Sequence, residues 1–242
     1  MEYVRRWPWV GQQEWHDVLF IHWSVPFEIL RTHVPAPFIL ETHGEKSWIT
    51  VILFQAKNTR LRGMPSKISY PSFLQMNIRT YIQFGGEPGI YFFSVDVNRL
   101  LIMAAAKGIL QLPYELAEMK FKKSKNQLLF KSKRKKGDYP LPSITANYQP
   151  STLKIPNQQG TLPYWLTERY SFWMIKGNKI IKGPLSHVPW ELFDVSVDLE
   201  MSNMIPFIPA NYLQEKPLVH YAQSIHAYLH PFEQIGINGG LF

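Results

Sequence analysis

Four polar side chains at two-residue spacing, Gln75, Asn77, Arg79 and Tyr81, offer the most legible chemistry in this chain. Side chains alternate between faces along a strand, so these four share one face, and Met76, Ile78, Thr80 and Ile82 share the other. An ordinary half-exposed strand sends long aliphatic or charged residues to solvent. Two amides, a guanidinium and a phenol in a row suit the lining of a polar pocket instead. Arg79 would bind a carboxylate or phosphate, Gln75 and Asn77 would orient polar groups, and Tyr81 would donate a hydrogen bond. The competing reading pairs Arg79 with Glu168 as a buried structural bridge. An unpaired buried guanidinium is costly, so Arg79 requires either an internal acid or an anionic ligand.

Glu168, within Thr167-Glu168-Arg169-Tyr170, is an acid inside an otherwise apolar or basic strand pattern. It is a candidate general base, or the salt-bridge partner of an arginine. The histidines invite a metal reading. His220, His226 and His230 share parity on one predicted strand, but His226 and His230 would stand about 13 Å apart. A single zinc ion holds its ligands at about 2 Å, so no metal site is expected.

The elements that must position these groups are mostly strands. Val18 to Trp23 reads as a short buried strand, and Phe27, Leu30 and Val34 give a helical turn after Ser24 and Pro26. Residues 38–54 form a hairpin turning at His43-Gly44-Glu45. A basic loop fills 57–72, and the polar-studded strand is followed by Ile90 to Val97. One convincing helix is predicted from Arg99 to about Leu110. Residues 118–136 form a hairpin with an apolar underside and a lysine-covered outer face. Residues 137–163 read as loop with one short strand, and a further hairpin from Leu166 to Lys182 turns at Gly177-Asn178. Strands at Val195–Leu199 and Val219–Leu229 end the chain. No repeat or linker stands out, which points to one domain over residues 1–242. Many short strands with few helices indicate a mainly β fold, a barrel or curved sandwich.

Composition narrows the classes further. Aromatics make up 14% and charged residues 18% of 242 residues, which describes a packed globular protein. No run suits a membrane span, and Met1 to Pro8 lacks an apolar leader, so a soluble, cytoplasmic protein is expected. Cysteine is absent, which removes disulfides and thiolate chemistry. The net charge of +8 is local: residues 120–136 hold nine bases and no acid, and the remaining 17 bases face 18 acids. That hairpin could attract nucleic acid or an acidic partner. It lacks interleaved aromatics for stacking on bases, so no specific nucleic-acid partner is expected. A lysine-coated edge hairpin also guards against edge-to-edge aggregation. The aromatic group Trp7, Trp9, Trp15 and Trp23 reads as a clamp for the N-terminal segment.

Several patterns in order resemble a known family. They are Gln13-x-Trp15-x-Asp17-Val18-Leu19-Phe20-x-His22-Trp23, Leu30-Arg31-x-x-Val34-Pro35, Asn77-x-Arg79-Thr80-Tyr81 and Pro88-Gly89-Ile90-Tyr91-Phe92-Phe93-Ser94. Leu112-Pro113-Tyr114, Leu166-Thr167-Glu168-Arg169-Tyr170 and His187-x-Pro189-Trp190 continue the series. Together they resemble the YqjF-like family (domain of unknown function 2071), which is similar in fold to acetoacetate decarboxylase. The resemblance implies an acetoacetate-decarboxylase-like β-barrel or β-cone with a central cavity. That enzyme works through a Schiff-base lysine, and its lysine doublet falls where this chain has Tyr114-Glu115. The resemblance also implies a glutamate where Gln75 stands.

Tyr114 is therefore a second catalytic candidate beside Glu168, as a general acid or ligand contact, against the alternative of a core tyrosine at a helix exit. The leading expectation is a barrel cavity that binds a small anionic metabolite, without cofactor or metal. If it is an enzyme, the reaction would be lyase- or hydrolase-like on a small oxo-acid, without the lysine. The alternative is a non-catalytic module whose hairpin 118–136 meets an acidic partner. A homo-oligomer is left open.

Overall fold

A computed structural model describes residues 8–65, 67–104 and 112–236. Among these described residues, thirteen strands make one sheet: β1 (Gly11–Val25), β2 (Ile39–Leu40), β3 (Ser47–Leu61), β4 (Phe73–Phe84), β5 (Glu87–Val97), β6 (Tyr114–Lys123) and β7 (Leu128–Arg134) come first. β8 (Ser143–Ile155), β9 (Ser171–Lys176), β10 (Lys179–Ser186), β11 (Leu192–Ser202), β12 (Leu218–Leu229) and β13 (Glu233–Gly236) follow. The spatial order is β13-β10-β9-β5-β6-β7-β8-β11-β12-β1-β3-β4-β2, and further pairings of β5 with β4 and β10 with β12 bring it back on itself. The helices are short: α1 (Phe27–Arg31), α2 (residues 100–104 described), α3 (Leu162–Thr167) and α4 (Ala210–Gln214). None is long and apolar enough to cross a membrane among the described residues.

β1 shows how the sheet is built. Paired with β12 on one side and β3 on the other, it is buried on both faces, so Val18 to Trp23 reads as an unbroken apolar run. Leu19, Ile21 and Trp23 enter one core with Leu30, Val34 and Phe38 from α1 and its exit, and with Met204, Ile205 and Ile208. Val18 and Phe20 enter a second core with Ile52, Phe54, Tyr81, Tyr114, Leu166 and Trp190. The row Gln75, Asn77, Arg79 and Tyr81 lies on the side of this second core, the interior of the folded sheet.

β1 also starts earlier than its apolar run, because Gln12 to His16 pair on both sides. A register shift between His16 and Leu19 marks a bulge at Asp17, which takes a left-handed φ of 52°. Its buried carboxylate accepts hydrogen bonds from Gln55 (2.9 Å), Tyr221 (2.9 Å) and Lys123 (2.6 Å).

Six local expectations change. The hairpin over residues 38–54 does not form, because β2 pairs with β4 rather than with β3. Residues 57–61 extend β3, so the basic loop begins later. Ser24 does not cap α1; Pro26 stands at its N-cap. Residues 143–155 form a long strand despite Pro150, because β7 pairs only with 143–148 and leaves the proline beyond that ladder. Leu166 to Thr167 end α3 rather than open a strand: Thr161 accepts from the Tyr164 amide and proline stands at the helix start, so capping chemistry won over apolar content. The basic hairpin is β6–β7, but not an edge, since β7 pairs with β8 and β6 joins β5 through Tyr114 to Leu116. Two of its bases serve the fold. Lys123 meets Asp17, and Arg134 grips the fully buried Asp96 through two bonds (2.7 and 2.9 Å) and Ser94 at 2.6 Å. Trp7 and the end of the predicted helix, including Lys107, lie outside the described residues.

Candidate functional site

The interior of the sheet holds a cavity of about 700 Å³. β4 contributes Gln75, Asn77 and Arg79, β6 contributes Tyr114, and Arg169, His187 and Gln13 add further polar groups; the half-buried Arg60 and the exposed Arg99 line it too. Most of the wall is apolar or aromatic, including Phe20, Phe54, Phe73, Phe92, Phe172, Trp15 and Trp190. No lysine lines it among the described residues. Tyr81 and Glu168 stand outside the lining. A second hollow of about 730 Å³, between Leu199 and Pro217, carries no side chain singled out for chemistry.

Arg79 is 7% exposed. One terminal nitrogen donates to the Leu166 carbonyl at 3.0 Å, and Nε is buried without a partner. Burial pushes its pKa below the ordinary value; contact with Tyr81 opposes this and Arg169 adds repulsion. No carboxylate contributes to that balance. The bridge to Glu168 considered from sequence does not form.

Glu168 is instead occupied at the end of α3. Its carboxylate accepts from the Trp190 backbone N–H (2.8 Å), Asn157 (2.6 Å) and Tyr170 (2.5 Å), which ties α3 to the segment before β11. Nor does it pair with Arg169. Arg169 bonds Glu41 at 2.5 Å and the Trp165 carbonyl at 2.9 Å, and its second terminal nitrogen is buried without a partner. Its guanidinium carbon lies 4.6 Å from the Trp165 ring centre and 5.1 Å from that of Tyr81. Arg79 approaches the same tyrosine at 5.7 Å.

Beneath the cavity runs a buried polar chain. Tyr81 donates to the Leu166 carbonyl at 2.9 Å and meets Thr50 at 2.7 Å. Thr50 meets His22 Nδ1 at 2.8 Å, and His22 Nε2 meets His220 Nδ1 at 3.2 Å. Every link is satisfied when both imidazoles are neutral and carry their proton on Nδ1. Burial favours that neutral form: it pushes His22 well down, and His220 down to about 4. Tyr81 thus fixes the carbonyl that holds Arg79, and its role is support from below rather than contact with a ligand.

Gln75 donates to Asn77 at 2.9 Å, which fixes both amides on the cavity wall. Tyr114 is 7% exposed, at the start of β6 rather than a helix exit, and burial raises its phenol to about 12. The phenol is therefore a neutral hydrogen-bonding group at ordinary pH. His187 bonds the Val188 carbonyl at 2.7 Å, and burial lowers its pKa. The other histidines disperse: His226 stacks on Tyr228 and His230 meets Ser186 at 2.8 Å.

Arg169, His187, His22 and His220 are the site residues that sequence reasoning missed. Arg169 and His187 sat inside quoted motifs, but nothing local revealed that both face the cavity. His22 shares parity with Val18 and Phe20, a signal that marks it as interior. Its partner His220 is distant in sequence, so the pair required the fold.

The comparisons bear on fold and family. A structure of acetoacetate decarboxylase superposes with a TM-score of 0.66 at 11% identity, covering 94% of this chain and 89% of that one. The enduracididine biosynthesis enzyme MppR, in complex with pyruvate, gives 0.64 at 9% identity, covering 96% and 91%. At such identities the likeness shows the fold alone, which is that of acetoacetate decarboxylase. The uncharacterised protein YqjF of Bacillus subtilis (strain 168) is 34% identical over 215 residues, 89% of this chain and 88% of its own length. Residues 12–226 match the model of a family described as an uncharacterised conserved protein, and the chain belongs to that family, domain of unknown function 2071.

Proposed function

We propose that this protein binds a small anionic molecule in its interior cavity, with Arg79 as the anchor. The observation that carries the reading is a buried guanidinium on the cavity wall whose charge no acid offsets and whose Nε lacks a partner. A buried cation without compensation is strongly unfavourable, and an anionic ligand supplies the missing charge. Asn77 and Gln75 then orient the ligand's polar atoms, and the Tyr114 hydroxyl donates to it. Glu168 acts by holding α3 and the Trp190 backbone in place, and so positions the neighbouring Arg169.

The fold relatives named for acetoacetate decarboxylase and for a pyruvate complex make an oxo-acid carboxylate a reasonable class to test. The reading includes no Schiff base, because Tyr114 occupies the wall where that chemistry would want an amine. Native mass spectrometry of protein purified from its own cells is the direct test. A retained anion, lost in Arg79→Met, supports the proposal. Retention that is unchanged in Arg79→Met removes it. Borohydride treatment with keto acids should trap no lysine adduct, and a trapped adduct would overturn the role given to Tyr114.

A further inference from the structure

The cavity is far larger than a short oxo-acid needs, and its walls are wrong for filling the remainder with water. At about 30 Å³ for each water-sized group, a short oxo-acid of about seven heavy atoms fills roughly 210 Å³. Most of the 700 Å³ would stay vacant. Water needs two to four polar partners to settle in such a space. Phe54, Phe73, Phe92, Phe172 and Trp190 offer their rings instead. The buried polar groups of the wall are few, and Gln75, Asn77 and Arg79 follow one another along β4. Ligand pockets combine apolar walls with a small set of orienting polar groups, and this one also concentrates its charge.

The charge count is as informative as the volume. Four arginines line the cavity: Arg99 is exposed and Arg60 half-buried, while Arg79 and Arg169 are buried. Each of the buried two has an N–H that lacks a partner, and both lie against the Tyr81 ring. Glu41 offsets Arg169, while nothing offsets Arg79. Water reaches Arg60 and Arg99, so one buried positive charge remains to be matched. Burial keeps His187 neutral, so it adds none.

From these two facts we infer that the ligand is an amphipathic monocarboxylate, with its carboxylate on Arg79 and a bulky aromatic or alkyl body along the aromatic wall. The inference rests on the anion-binding reading above and narrows it to a chemical class. The volume admits a body of up to about 20 heavy atoms. Each methylene that passes from water into the cavity strengthens binding about fourfold, until the space is full.

The test follows quenching of tryptophan fluorescence, since Trp15 and Trp190 line the cavity, on the full chain freed of any retained ligand. The probes are pyruvate, 4-phenylbutyrate, decanoate and the neutral amide 4-phenylbutyramide. Phenylbutyrate and decanoate are expected to bind at least tenfold more tightly than pyruvate, and the amide at least tenfold more weakly than its acid. Comparison of the two long acids then decides between an aryl and an alkyl body. If pyruvate binds as tightly as both long acids, the amphipathic class is overturned and the anion reading stands. If the amide binds as tightly as its acid, both fail. The acid–amide comparison needs no variant. Arg79→Met adds a second check, since it should reduce the difference to less than threefold if it folds.

Discussion

Arg79 costs the ligand-free protein stability, and this gives the first prediction. It stands buried with one backbone acceptor and no carboxylate. Removing an uncompensated charge and keeping the chain length relieves desolvation, so Arg79→Met should stabilise the empty protein by about 1–3 kcal/mol. For a chain of this size that raises the melting temperature by several degrees. Loss of stability instead would mean that Arg79 is a structural residue with a partner in solution. The histidines make the second prediction. His22, His187 and His220 are each held neutral by burial, with folded pKa values below the ordinary 6.5. The unfolded chain then binds protons that the folded one refuses, so stability falls as pH drops below about 6.5. One unit lower, His22 and His220 each cost about 1.4 kcal/mol, and His187 adds to the loss in the same direction. Asp96 and Glu41, raised by burial, act in the opposite direction, but only near the carboxylate range. Urea unfolding at pH 7.5 and pH 5.5 checks this, and equal stabilities at the two would refute it. Arg79 was legible as a site residue from its type and spacing alone. Its freedom from Glu168 was not, because that acid's three partners come from the segment between β8 and α3, from α3's exit and from the segment before β11, which only the fold brings together.

Elements were legible where one local rule dominated. Strand parity in β4 placed Gln75, Asn77 and Arg79 on a common wall, and capping chemistry at Thr161 was present in the sequence but was outvoted by apolar content. Long strands such as β8 were foreshortened because Pro150 looks like a breaker until its neighbour is seen to end early. The bulge in β1 was invisible, since a left-handed aspartate has no periodic signature. It nonetheless organises three elements. Asp17→Ala would leave donors from Gln55, Tyr221 and Lys123 unanswered and strain an alanine at φ 52°. We expect a loss of about 2–4 kcal/mol by chemical denaturation, with Asp17→Asn losing less because asparagine tolerates that backbone. Equal losses would show that the strain is not the distinguishing cost. Gly183 is the complementary case. A Cβ there would sit 2.1 Å from the Phe172 ring, and Phe172 is a cavity wall. Gly183→Ala should therefore cost about 1–3 kcal/mol and also disturb ligand binding, although residue 183 itself does not line the cavity.

For the molecule as a whole, strand pairing that returns on itself ties the cavity to every part of the sheet, so occupancy should be read as global stability. A ligand present at a hundred times its dissociation constant stabilises the folded chain by about 2.7 kcal/mol. An internal acid beside Arg79 should do the ligand's electrostatic work in advance. Asn77 is the position for it: it lies on the same face, about 6.6 Å along β4 from Arg79, and is itself buried on the wall. Asn77→Asp is expected to raise the melting temperature of the empty protein relative to a neutral Asn77→Ser control. The same change should abolish the shift produced by phenylbutyrate, because the buried wall of the cavity no longer carries an unmatched positive charge. Two outcomes count against this. A variant less stable than the control would show that Arg79 does not stabilise a neighbouring carboxylate. An undiminished phenylbutyrate shift would show that the carboxylate of the ligand is not what the cavity binds.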